Sequence, residues 1–106
     1  MGDEVVVLIT AGSADEAAKI GRALVEERLV ACANIVGGVR SLFFWDGKTR
    51  DEQETLMICK SRSLLMDRII ERVKQLHSYT VPEIIALPIV AGSKDYLNWV
   101  NETATG

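Results

Sequence analysis

The chain has one histidine, two cysteines and two prolines in 106 residues, and each scarcity removes a class of explanation. A lone His77 gives no H-x-x-x-H pair, and Cys32 and Cys59 form no C-x-x-C, so the spacing of a closed zinc site is missing. Two thiols are too few for a disulfide framework in a chain of this length and read as reduced cytosolic groups. No apolar run reaches the ~18 residues that a membrane-spanning helix needs. The opening Met-Gly-Asp-Glu is acidic, unlike a signal peptide, and with the thiols it makes the cytoplasm the expected compartment. Basic residues do not dominate either. Fifteen acidic against twelve basic side chains give a formal charge of −3, which builds no stripe for phosphate neutralisation and excludes nucleic acid as an expected partner. There is no G-x-S-x-G elbow, and Gly37-Gly38 lacks the helix that a phosphate-cradling loop feeds, so nothing suggests an enzyme.

What is present is a single domain over residues 1–106. Composition is ordinary for a globular protein, 48% hydrophobic and 25% charged. Size scaling gives about 5,900 Å² of folded surface, with about 65% of the unfolded surface buried. Val5 to Ile9 is a short apolar strand. Ser13 and Glu16 form a capping box that opens a helix with the stripe Ala17, Ile20, Leu24 and Val25. Two long β-rich arms follow, Ala31 to Trp45 and Lys48 to Ser61, meeting at Asp46-Gly47, a dipeptide suited to a tight hairpin turn with positive φ. Ser63 caps a second helix carrying Leu65, Ile69, Val73 and Leu76. The segment before Pro82 breaks that helix. Ile84 to Ala91 is a last strand, and Gly92-Ser93 leads into a short helix with Tyr96, Leu97 and Val100.

The order β-α-β-β-α-β-α predicts an α+β fold, the ferredoxin-like split β-α-β arrangement, with an antiparallel sheet and a long protruding hairpin. Each arm of that hairpin, fully extended, spans roughly 45–50 Å. A compact domain of this length has a radius of gyration of only ~13 Å. The tip therefore overhangs the body or lies on another subunit. Alternation adds a second anomaly: helices can cover only one side of the sheet, so Val6 and Leu8 fall on an apolar face that monomers rarely expose. A homo-oligomer answers both, with Val6, Leu8 and the tip residues Phe43 and Trp45 as interface.

The densest polar segment is His77-Ser78-Tyr79-Thr80-Val81-Pro82-Glu83. His77 offers an imidazole and Glu83 a carboxylate for a metal; equally, His77 complements the dipole at a helix C-terminus. Cys32 and Cys59 lie on opposite arms. An unbroken ladder puts them on one face as diagonal neighbours, whereas a bulge at Gly37-Gly38 sends them to opposite faces. Lys60 ends the second arm, placed to meet an anion or to cap the sheet.

These residues resemble the CutA family of divalent-cation tolerance proteins. The matching pieces are Val5-Val-Val-Leu-Ile-Thr10, Leu29-Val-Ala-Cys-Ala-Asn-Ile35, Ser41-Leu-Phe-Phe-Trp-Asp-Gly-Lys48, Glu54 with Leu56 and Lys60, His77 to Glu83, and Tyr96-Leu-Asn-Trp99. The resemblance implies a homotrimer shaped like the PII signalling proteins, with hairpins reaching between subunits and clefts at their junctions. It implies tolerance of divalent cations and binding of Cu²⁺ or a related ion, with His77, Glu83 and Cys32 as candidate ligands. Some bacterial members place a copper-binding cysteine and an additional histidine where this chain has Ile9 and Leu76. Lys60 and Tyr79 match positions near the cleft. The alternative that the resemblance leaves open is a PII-like sensor or scaffold, holding a small anion at Lys60 and Tyr79 and engaging a partner protein through the hairpin tips.

Overall fold

The computed structural model describes residues 2–106. Its elements are β1 (Glu4–Ala11), α1 (Ala14–Glu26), β2 (Cys32–Trp45), β3 (Lys48–Arg62), α2 (Met66–Leu76), β4 (Ile84–Pro88) and α3 (Lys94–Thr103). The sheet runs β2-β3-β1-β4, antiparallel at every junction. This is the split β-α-β order expected from the sequence: β3 is inserted between the two strands that α1 connects.

Alternation sorts the sheet into two faces. Val5, Val7, Ile9, Met57 and Cys59 point one way and are buried under Ala17, Ile20 and Leu24 of α1 and Ile69 and Val73 of α2. Ile84 and Ala86 of β4 pack against the same core. At the crossing of α1 and the sheet, Gly21 sits where a Cβ would lie 3.3 Å from Ala33 Cβ and 3.4 Å from Met57 Cε. Val6, Leu8, Ile58, Ile85 and Leu87 point the other way. Ile85 and Leu87 are 48% and 50% exposed, so much of this second face lies open.

The third helix departs from the expectation that helices cover one face only. Tyr96 Oη lies 3.5 Å from Cys32 Sγ, and Asn101 Nδ2 donates to the Glu4 carboxylate. Glu4 and Cys32 both belong to the open face, so α3 crosses one end of it, burying Val100 completely. The other end, toward the hairpin, stays uncovered. Smaller differences have local causes. Ser63 does not cap α2; a 3-10 turn over Ser63–Leu65 comes first, and the helix begins at Met66. Val25 is exposed rather than part of the buried stripe. β4 stops at Pro88, whose nitrogen offers no donor with which to extend the ladder.

The hairpin is as long as its sequence suggests, and the turn has φ of 53° at Asp46 and 79° at Gly47, the primed geometry. The principal extents of 44 × 25 × 22 Å show its projection. The accessible surface of 6437 Å² exceeds that of a compact chain for the same reason. A bulge interrupts the arms. Val36 pairs with Leu56 but Val39 with Glu54, so Gly37 and Gly38 together oppose one residue, with Gly38 at φ 73°. Before this step Cys32, Asn34 and Val36 share the open face; after it Val39, Ser41, Phe43 and Trp45 do. Cys32 therefore pairs with Lys60 and Ala33 with Cys59, which places the two thiols on opposite faces. Beyond the bulge, Arg40 grips Asp51 with two hydrogen bonds of 2.9 and 2.6 Å on the side turned away from that face.

Candidate functional site: a groove beneath the hairpin

The segment after α2 is anchored by the one histidine. The His77 side chain is fully buried, and Nε2 lies 2.7 Å from the Thr10 carbonyl, which requires an N–H there. Nδ1 then carries the lone pair and accepts the Tyr79 N–H at 3.0 Å. Both ring nitrogens are spent on backbone groups, so His77 has no lone pair left for a metal in this structure. It positions the loop instead.

A second anchor comes from α1. Ser13 Oγ accepts the Glu16 N–H at 3.1 Å, the forward half of the capping box. The return half is displaced: Glu16 Oε1 accepts from Gly12 N–H rather than from the cap residue itself. Its other oxygen reaches the loop, accepting the Ser78 N–H at 2.7 Å, while Ser78 Oγ donates to Oε1 at 3.0 Å. Burial pushes the Glu16 carboxyl up, but the bonds from Ser78 and Gly12, with His77 nearby, outweigh it and leave it below the usual carboxylate range.

These anchors hold Tyr79 under the hairpin. Its hydroxyl donates to Glu54 Oε2 at 2.9 Å, and burial, that hydrogen bond and the surrounding carboxylates Glu54, Glu16 and Glu52 push the phenol up to about 12. Between loop and hairpin lies a groove of about 710 Å³. Arg50, Glu52 and Glu54 line it at alternate positions of β3, Phe43 and Trp45 face it from β2, and Tyr79, Val81 and Glu83 close it from the loop.

The structure separates the other candidates from this groove. Cys32 and Lys60 pair at the far end of the open face, where Lys60 Nζ donates to Asn34 Oδ1 and Cys32 meets Tyr96. From Glu54 to Lys60 is six residues of extended strand, about 20 Å. Lys60 and Tyr79 thus do not share a pocket within one chain, nor does Cys32 join Glu83. Among the described residues no three His, Cys, Asp or Glu side chains are grouped to hold a metal ion. The sequence reading leaves Glu54 out of the candidate pocket and takes Glu16 only as a cap. Glu54 was findable from its position two residues from Glu52 on one strand face; the 62-residue reach from Glu16 to Ser78 leaves no sequence signal.

The comparisons agree with the fold and extend it. The family described as "CutA1 divalent ion tolerance protein" matches residues 5–103. The Thermus thermophilus "Divalent-cation tolerance protein CutA" is 50% identical over 99 residues, 93% of this chain and 96% of that protein. The chloroplastic CutA of Arabidopsis thaliana is 40% identical over 93% of this chain, which spans only 54% of the plant protein's length. Among solved structures, the T. thermophilus protein superposes with a TM-score of 0.92 over 94% of this chain and 97% of the other. A protein from Archaeoglobus fulgidus described as a periplasmic divalent cation tolerance protein gives 0.92 at 42% identity, covering 95% of this chain and 98% of its own. These chloroplastic and periplasmic names overturn the expectation of a cytoplasmic protein. The thiol argument failed for a physical reason: Cys59 is buried and Cys32 lies on the opposite face, so they cannot pair and do not report the redox state of a compartment. With one family matched over residues 5–103 and solved members superposing over 94–95% of the chain, this chain belongs to the CutA1 divalent ion tolerance family.

Proposed function

We propose that the protein acts in divalent-cation tolerance as a homotrimer. The observation that carries this reading is the open face: Val6, Leu8, Ile58, Ile85 and Leu87 form an apolar sheet surface continuous with a projecting hairpin whose Phe43 and Trp45 are exposed. A soluble chain rarely leaves so much apolar surface to water, and copies packed face to face around an axis bury it while giving each hairpin a neighbour to rest on. Light scattering at micromolar concentration tests it. The expected mass is three times the 11.7 kDa of the chain; a folded single-chain species refutes it.

Assembly also bears on metal binding. One chain presents Glu83 at one end of the open face and Cys32 with Lys60 at the other, and gathers three donors nowhere among its described residues. A Cu²⁺ or related divalent site in this protein therefore draws its donors from two copies, a Glu83 oxygen from one and a Cys32 sulfur from the next, with His77 holding the loop that carries Glu83. Calorimetric titration of tag-free protein with Cu²⁺, repeated with Glu83→Gln and Cys32→Ser, checks this. Both variants should lower affinity while leaving the mass unchanged; binding indifferent to both refutes the ligand assignment.

A further inference from the structure

The open face carries its charges at opposite ends. Along β3 the side chains on that face are Glu52, Glu54, Leu56, Ile58 and Lys60: acids at the hairpin end, an apolar middle, and an ammonium at the far end. Among the described residues neither end is answered by an opposite charge. Glu54 is 9% exposed and takes one hydrogen bond, from Tyr79. Lys60 Nζ donates to the Asn34 amide oxygen, a neutral partner. The ion pairs are Arg40–Asp51, Arg62–Asp3, Arg72–Glu27 and the contact of His77 with Glu16; Glu52, Glu54 and Lys60 are in none of them. The charges around Lys60 are already engaged, Arg62 with Asp3 and Glu4 with the Asn101 amide. About 20 Å of extended strand separates Glu54 from Lys60, so the two cannot meet within one copy.

Covering this face decides how copies lie on it. Once Leu56 and Ile58 pack against a neighbour, water leaves, and a buried charge without a counter-charge is strongly unfavourable. Like ends brought together set carboxylate on carboxylate and ammonium on ammonium. Opposite ends brought together neutralise both and still bury the apolar middle. That contact joins two different patches, so it is heterologous and closes when repeated around an axis. In a ring of three, every copy gives Glu54 to one neighbour and Lys60 to the other, and no end is left over.

We propose that Lys60 of one copy enters the groove beneath the hairpin of the next and pairs there with Glu54, so that the partner completes the groove. Tyr79 Oη donates to the same carboxylate and holds it for the incoming ammonium. Glu52 and Glu83 line the groove against the single guanidinium of Arg50, which leaves it negative and favours a cation's approach. The inference rests on the reading that copies meet on the open face, and adds their direction and the pair that fixes it. The same approach carries Cys32, which pairs with Lys60 across the strands, toward Glu83 of the neighbour.

A carbodiimide tests this on the unaltered chain. It condenses a carboxylate with a touching amine, taking up the water lost as it becomes a urea. A link from Lys60 to Glu54, or to its groove neighbours Glu52 and Glu83, is expected at the mass of two chains. Charge reversal reads the pair independently, with light scattering on dilution as the measure and circular dichroism as the check on folding. Lys60→Glu should raise the concentration at which copies separate about 100-fold or more, the scale for like charges forced together in an interface. Adding Glu54→Lys should recover most of that loss. Glu54→Gln with Lys60→Met covers the case in which a reversed residue disturbs the loop: their combined loss should fall short of the sum of the single losses. A trimer that gives no link from Lys60 to a groove acid, or variants whose losses simply add, overturns the inference and leaves the trimer standing. A two-chain particle that gives the link overturns the trimer and keeps the pair. Folded single chains overturn both.

Discussion

Replacing His77 by phenylalanine separates a positioning histidine from a ligand. The substitution keeps a planar ring in a fully buried position and removes two polar atoms. The Thr10 carbonyl loses a donor at 2.7 Å and the Tyr79 N–H loses an acceptor at 3.0 Å. Leaving a buried polar group without its partner costs about 1–3 kcal/mol each. Tyr79 lies beside the groove and its amide is the easier of the two to hydrate, so the sum falls near ~2–4 kcal/mol. Urea unfolding at a fixed chain concentration measures it, because the midpoint of an assembling protein moves with concentration. His77→Asn is the graded companion: its shorter side chain offers an oxygen to the Tyr79 N–H but does not reach Thr10, and it should lose about half as much. Hydrogen exchange at the Tyr79 amide should accelerate in the phenylalanine variant and stay slow in the asparagine variant. A phenylalanine variant within ~0.5 kcal/mol of the parent, the ordinary scatter of surface substitutions, refutes the positioning role. So does a variant that unfolds normally yet no longer binds Cu²⁺, since that is how a ligand behaves.

Gly38→Ala should cost about 1–2 kcal/mol by thermal unfolding, entirely from the positive φ, because no atom lies within 4 Å of the added methyl. Glu16 has a depressed carboxyl, so its contribution is complete above its ordinary value near 4.5 and is lost as pH falls through the lower folded value. Glu16→Gln should accordingly flatten the acid limb of the stability profile and loosen the loop at neutral pH, read by exchange at the Ser78 amide. Cys59, pushed up to about 12 chiefly by burial, should resist a thiol reagent at pH 8 until the protein unfolds, whereas the half-buried Cys32 is the thiol open to attack in the folded chain. Counting modified thiols by mass before and after denaturation decides it, and two fast thiols refute it.

Much of this molecule can be read from its residues because the signals are local. Asp46-Gly47 names its own turn, Ser13 and Glu16 mark a helix start, and the alternating apolar runs of β1 and β3 declare two faces. The bulge was legible as an alternative at Gly37-Gly38; only the pairing of Cys32 with Lys60 decides it. The placement of α3 was not legible. An amphipathic stripe says that one side is buried but not against what, and the bonds from Tyr96 to Cys32 and from Asn101 to Glu4 join residues 64 and 97 apart. His77 shows the same limit. A solitary polar residue has no periodicity, so ligand, dipole partner and backbone clamp look alike until both nitrogens are seen engaged. The strand face of Glu54 is legible but its burial is not, because that comes from a loop that folds over it and not from its own strand.

The two-against-one step at Gly37 and Gly38 divides the ribbon into halves that obey different parity. Outside it, odd-numbered residues of β2 look into the groove; inside it, even-numbered ones occupy that side. A change in length distal to the step by matched pairs of residues keeps Phe43 and Trp45 on the face that carries Glu52 and Glu54, whereas a single insertion or deletion in one arm inverts them to the outer side, beside Arg40 and Asp51. Natural variants of this outer ribbon should therefore differ by even counts per arm, and one odd change should strip the groove of its rings while leaving the body of the domain intact.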